Sequence, residues 1–171
     1  MVRLVKPFVD EANQKHGLHV DVGIVAGDAV YLIYRRESKD TKAFRSFSYS
    51  SDLHYLATGK AAMAFMDPQE LDSLLDRLTL TARTERTITD KDELRRDLRR
   101  ALEHGYSVNH EEFVPGLIAI GAPLFSLRTN KVVGGVSFDS TTDQYSMQEF
   151  ERLYAPYLVE LAKKISAVVS L

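Results

Sequence analysis

Cysteine is absent from the 171 residues. That excludes disulfides, thiolate nucleophiles and cysteine-ligated metal sites, and it is compatible with a reducing cytoplasm. An excess of positive charge is also missing: 22 Lys and Arg stand against 24 Asp and Glu, a net charge of −2. A free-standing DNA binder draws most of its affinity from phosphate neutralisation and is usually basic, so this chain lacks the composition of a DNA-contacting module. No apolar run approaches the roughly 18 residues that a membrane span needs. The opening Met-Val-Arg-Leu-Val-Lys-Pro has no apolar stretch of the signal-peptide kind. Repeats, low-complexity tracts and Gly/Ser/Pro-rich linkers are missing too. What is present is an ordinary globular balance, 44% hydrophobic and 27% charged. The expectation is one soluble, cytoplasmic domain over residues 1–171.

Hydrophobic spacing predicts the elements. Leu4, Val5, Phe8, Val9 and Ala12 repeat at helical intervals over 2–16, and Gly17 closes the run as a C-cap. Pro7 either kinks this helix or starts it. Residues 18–25 alternate as a strand, 29–34 form a short apolar strand, and Ala26-Gly27-Asp28 makes the turn between them. A third strand is expected at 43–47 and a helix at 55–66. Asp67 is a good N-cap, followed by Pro68 at the first helical position and Glu70 where a capping-box partner belongs. Asp90 and Glu93 box a helix to His104, with Leu94, Leu98, Ala101 and Leu102 as its stripe and Gly105 as its stop. A long hairpin spans 117–125 and 131–139. Ser146 and Glu149 box a last helix, striped by Phe150, Leu153, Tyr157, Leu158, Leu161, Ile165 and Val168, which Pro156 should kink or split. Hairpins make antiparallel neighbours, so the fold class is α+β rather than a doubly wound parallel sheet.

Side chains alternate between the faces of a strand. In the 117–139 hairpin one parity is bulky: Ile118, Ile120, Ala122, Leu124, Val132, Val136 and Phe138. The other is small and ends in two polar groups: Leu117, Ala119, Gly121, Pro123, Gly135, Ser137 and Asp139. A small-residue face is either the floor of a ligand cavity or a seat for a closely packed helix.

Leu53-His54-Tyr55-Leu56-Ala57-Thr58-Gly59-Lys60-Ala61 resembles the PLHxTAxGKA signature of the IclR family of bacterial regulators. Four further segments resemble the family in order: Thr84 to Ile88, Gly105 to Phe113, Val114 to Leu124, and Lys131 to Ser137. Together these cover 53–139. The resemblance implies a GAF-like antiparallel sheet flanked by helices, with the N- and C-terminal helices packed together. It implies a small-molecule effector-binding domain that controls DNA binding or transcription through a ligand-dependent change in a dimer or tetramer, and not an enzyme. The winged helix-turn-helix module that the family uses on operator DNA has no room ahead of the first helix. The chain is then a truncated piece or an isolated sensor, touching operator DNA only through the missing N-terminal domain. No cofactor and no membrane partner is expected.

The resemblance also assigns ligand-binding residues: Ala57, Thr58 and Gly59 at the start of a helix, Asn109 before the hairpin, and Leu117, Ala119, Ser137 and Asp139 on its small-residue face. The expected effector is a small organic molecule, a carboxylic acid or a hydroxylated aromatic, because the free amides of a helix N-terminus suit a carboxylate. Two positions depart from the family pattern. Asp52 replaces a proline, and Asp139 replaces a small neutral residue. An ionised Asp139 repels a carboxylate. Either the effector offers Asp139 a hydroxyl or amine, or Asp139 turns away.

Other groupings have blander readings. His104, His110, Glu111 and Glu112 suggest a metal, but without a recognised ligand spacing. Arg95, Arg96, Arg99 and Arg100 suggest nucleic acid or, more simply, a solvated helix face, with Asp92 and Arg96 at helical spacing. Gly59-Lys60 lacks the earlier glycines of a phosphate loop. Two alternative functions remain: a hydrolase using His54 and Ser51, and a structural oligomerisation domain with no ligand.

Overall fold

A computed structural model describes residues 1–41 and 50–170, with Ser50 and Ser51 described in backbone only. The strand expected at 43–47 lies outside the described residues. The elements in order are α1 (Val2–His16), β1 (His19–Ala26), β2 (Ala29–Arg36), β3 (Ser50–Asp52), α2 (Ala57–Ala64), α3 (Pro68–Arg77), α4 (Lys91–His104), β4 (Ser107–His110), β5 (Leu117–Phe125), β6 (Val132–Thr141) and α5 (Met147–Ser166). The strands form one sheet, ordered β3-β2-β1-β6-β5-β4, with every neighbouring pair antiparallel. The α+β class therefore holds.

Local chemistry sets the ends of the helices. Gly17 and Gly105 take the left-handed conformation at φ 68° and 86°, each sending its N–H back into the last turn. Asp67 accepts from the amides of Gln69 and Glu70 ahead of Pro68. Asp90 accepts from Glu93 N. Ser146 and Glu149 form the full reciprocal box. α1 begins at Val2, ahead of Pro7 rather than at it. α5 is continuous through Pro156 and is not split. α2 is shorter than the expected 55–66. Leu56 stays extended at φ −107°, ψ 137°, and Phe65 leaves the helix ahead of Asp67, whose backbone is extended before Pro68.

Two apolar clusters lie on the two sides of the sheet. On one side α1 and α5 pack together over Val20 and Val22 of β1 and over Ile118, Ile120, Leu124, Val136 and Phe138 of the hairpin's bulky parity. The His16 and Tyr157 rings meet at 4.6 Å between these two helices. On the other side Leu53, Tyr55 and Met63 join Leu74 and Leu75 of α3, Leu94 and Leu98 of α4, and Leu117 of the sheet. Four residues of the expected stripes are in fact exposed: Leu4, Leu102, Leu153 and Tyr157. Each sits at the margin of its apolar arc, where a single layer of helices leaves one flank uncovered.

Candidate functional site

The sheet face toward α2 is organised in rungs. One rung runs Asn109, Ala119, Asp139, His19 across β4, β5, β6 and β1. The next runs Ser107, Gly121, Ser137, Asp21, Arg35, reaching β2. Leu117 and Thr141 pair beyond them. Alternate residues share a face, so Leu117, Ala119, Ser137 and Asp139 lie on one side of the sheet. Leu117, Ala119 and Ser137 are buried, and Asp139 is partly buried.

The first turn of α2 rests on this face. A Cβ at Gly121 would lie 2.3 Å from the Ala57 carbonyl oxygen, and one at Gly135 would lie 2.6 Å from that of Thr58. Backbone therefore touches backbone, which only glycine allows. The Ala57 carbonyl also accepts from Ser107 Oγ at 2.6 Å. Gly59 is held equally tightly, since a Cβ there would lie 2.3 Å from Leu53 O. The N-cap Leu56 has no side-chain acceptor for the first amides of the helix. Among the described residues, the N–H groups of Ala57, Thr58 and Gly59 have no hydrogen-bond partner. The helix-seat reading of the small-residue face thus holds at Gly121 and Gly135, and the Asn109–His19 rung is the next one along the sheet.

The polar groups of the face form defined pairs. Arg35 Nε donates to Asp21 Oδ1 at 2.7 Å, and its Nη2 donates to Asp21 Oδ2. Ser137 Oγ donates to Asp139 Oδ1 at 2.7 Å. Burial, with the negative charge of Asp21 second, pushes the Asp139 carboxyl up to about 7 against the opposing pull of Ser137 and Arg35. His19 Nδ1 accepts from Ser38 N at 2.9 Å. Asn109 has both ends of its amide engaged: Nδ2 donates to Tyr55 O at 2.8 Å, and Oδ1 accepts from Glu112 N at 2.9 Å. It ties β4 to the segment that leads into α2.

Behind α2 lies a group that the sequence reading passed over. Lys60 is fully buried, and its Nζ reaches Asp97 Oδ2 at 2.7 Å on α4 and Glu112 Oε1 at 2.8 Å. Glu112 also accepts from His110 N. The available signal was the composition of Ala57–Ala64, seven small or apolar neighbours around a single charge. A lone charge in such a helix requires buried counter-charges.

The other groupings separate in space. Glu112 faces Lys60, Glu111 accepts from Gly116 N, and His104 donates to Arg100 O. Among the described residues, no three ligand-type side chains converge as a metal site. Arg95 pairs with Asp72 and Arg100 with Glu151, so two of the four arginines are held in ion pairs. His54 is completely buried with Nε2–H donating to Thr81 O at 2.9 Å, unavailable as the base of the hydrolase alternative.

Comparison with known proteins agrees with this architecture. Residues 1–167 match the family model for the bacterial transcriptional regulator IclR C-terminal domain. HTH-type transcriptional regulator BhcR of Paracoccus denitrificans is 29% identical over 167 residues, covering 97% of this chain and 59% of BhcR. The chain thus spans about three fifths of that relative. The IclR structure from Thermotoga maritima superposes with a TM-score of 0.92 at 26% identity, over 99% of this chain and 68% of that one. The inducer-binding domain of PobR from Acinetobacter, a double mutant in complex with 3-hydroxybenzoic acid, shares the fold at a TM-score of 0.87 and 18% identity, over 99% of each chain. The named relatives are regulators of transcription rather than enzymes. The chain belongs to the IclR family of bacterial transcriptional regulators and consists of that family's C-terminal domain.

Proposed function

We propose that this domain senses a small organic effector held between the first turn of α2 and the Asn109–Ala119–Asp139 rung of the sheet. One observation carries the reading. Leu117, Ala119, Ser137 and Asp139 share the sheet face that α2 meets, and that face holds buried polar groups beside unpartnered helix amides. Such convergence of a few polar groups in an apolar surround is what a small-molecule site requires. The PobR domain, an inducer-binding domain of the same fold, forms a complex with 3-hydroxybenzoic acid. Occupancy would bias two arrangements of a homo-oligomer, dimer or tetramer. A DNA-binding domain outside this chain would then be repositioned on its operator.

The test is thermal unfolding with a panel of small acids, alcohols, amines and hydroxylated aromatics at millimolar concentration. A binder raises the melting temperature in proportion to its occupancy. Ala119→Leu, which fills the centre of the rung, should leave the domain folded and abolish the shift. If every compound leaves the melting temperature unchanged, the domain is structural, a second reading favoured by the tight seating of α2 on Gly121 and Gly135.

A further inference from the structure

We propose that the effector presents a protonated amine to Asp139, which makes this side chain the specificity determinant of the site. The inference rests on the effector-site reading above and adds the chemical class of the guest. Cross-strand pairing puts Asp139 between Ala119 and His19 on the face that meets α2. It does not turn away, because Ser137, two residues earlier on the same face, donates to Oδ1 at 2.7 Å. Its second oxygen accepts no hydrogen bond among the described residues, and no cation among them lies within ion-pair distance.

The charges around it explain why. Among the described residues, Arg35 is the cation whose charge acts on Asp139, and it grips Asp21 through two hydrogen bonds. That pair is neutral as a unit. Asn109, at the far end of the same rung, has its amide committed to Tyr55 and Glu112. His19 turns Nδ1 toward Ser38 N. Among the described residues, this leaves the Asp139 carboxylate with the more distant pull of Arg35 but no ion-pair partner of its own, on a partly buried surface. Desolvation penalises such a charge, and an incoming cation relieves the penalty. Burial, and after it the negative charge of Asp21, displaces the Asp139 titration upward against the pull of Ser137 and Arg35, and this is the penalty that an incoming cation would relieve. A carboxylate guest at this end of the site would add a second negative charge beside the first, whereas an ammonium would complete the ion pair.

The experiment compares matched compounds on one carbon skeleton by scanning calorimetry of the 171-residue chain. The sets are benzylamine, benzyl alcohol and benzoate, and ethanolamine, ethylene glycol and glycolate. Each is used at about 10 mM, where a millimolar binder gives a measurable shift. The expected result is that the amine of a set raises the melting temperature and its carboxylate does not. In Asp139→Ser the amine should weaken on the order of tenfold or more, as for loss of a charge-assisted hydrogen bond, and the carboxylate should gain. Asp139→Asn retains an acceptor for Ser137 and serves if the serine variant folds poorly. It should lose the amine in the same way. A carboxylate that stabilises the native chain more than its amine overturns the amine inference and leaves effector sensing intact. So does an amine that stabilises native and variant chains equally. If no compound of either set shifts the native chain, the amine inference falls, while effector sensing stands or falls with the wider panel above.

Discussion

A carboxyl group that shares a poorly hydrated sheet face with a second carboxylate gives up its proton late, and Asp139 does so at about 7. The unfolded chain ionises the same group near the ordinary value of 3.8. Between these values the folded state keeps a proton that the unfolded state has lost. The contribution of Asp139 is therefore intact at low pH, declines as pH rises from about 4 to 7, and is flat above that. Asp139→Asn removes this dependence. The variant should gain on the native chain across that window, ending on the order of 1–2 kcal/mol more stable at pH 8 in urea unfolding. Lys60 behaves oppositely, since its charge is answered by Asp97 and Glu112. Lys60→Ala leaves two carboxylates facing a void and should cost about 3–5 kcal/mol in the same assay. Gly121→Ala forces a methyl group onto the Ala57 carbonyl, which is backbone and cannot rotate aside. A loss of about 1–3 kcal/mol is expected, with α2 displaced in the crystal structure of the variant.

Single elements were the most legible level of this protein. Caps and boxes act within a few residues of sequence, so Asp67, Asp90, Ser146, Gly17 and Gly105 marked helix ends that the structure reproduces. Ser146→Ala should destabilise the domain by about 1 kcal/mol through loss of the α5 box, seen as a lower urea midpoint with unchanged slope. The bulky and small parities of the hairpin also survive, because alternation in a paired strand follows from geometry alone. Legibility failed where the deciding contact is distant in sequence. Tyr55 and Leu56 carry a helical apolar pattern, yet they stay outside α2. The Tyr55 ring stacks on Phe113 at 5.1 Å, and its carbonyl is taken by Asn109. Lys60 finds its partners 37 and 52 residues away. The grip of Arg35 on Asp21 needs the β1–β2 register, which no local pattern reveals.

For the molecule as a whole, the sheet divides two unequal layers. α1 and α5 cover one side with a continuous apolar cluster. On the other side lie α2, α3 and α4, joined to one another by apolar packing and by the Lys60 network. The central β1–β6 pairing unites residues more than a hundred positions apart and places the first hairpin beside the last. Strands assembled in this way close large loops, so folding should be slow for a domain of this size, on the millisecond-to-second scale in stopped-flow refolding. The sequence similarity to BhcR and the superposition on the Thermotoga IclR extend across both layers. The likeness is therefore to the complete arrangement and not to a shared motif.

The junction between α1 and β1 ties the α1–α5 layer directly to the rung of the sheet that carries Asp139. His19, whose backbone pairs with that of Asp139, follows the last residue of α1 by only three positions, with Gly17 as the pivot. Under the proposed function, a guest held by Asp139 would pull at the root of α1 through the paired backbone of His19 and a few covalent bonds, bypassing the apolar cluster in between. Lengthening that tether by one or two glycines after Gly17 should uncouple occupancy from any movement of α1 while leaving binding itself untouched.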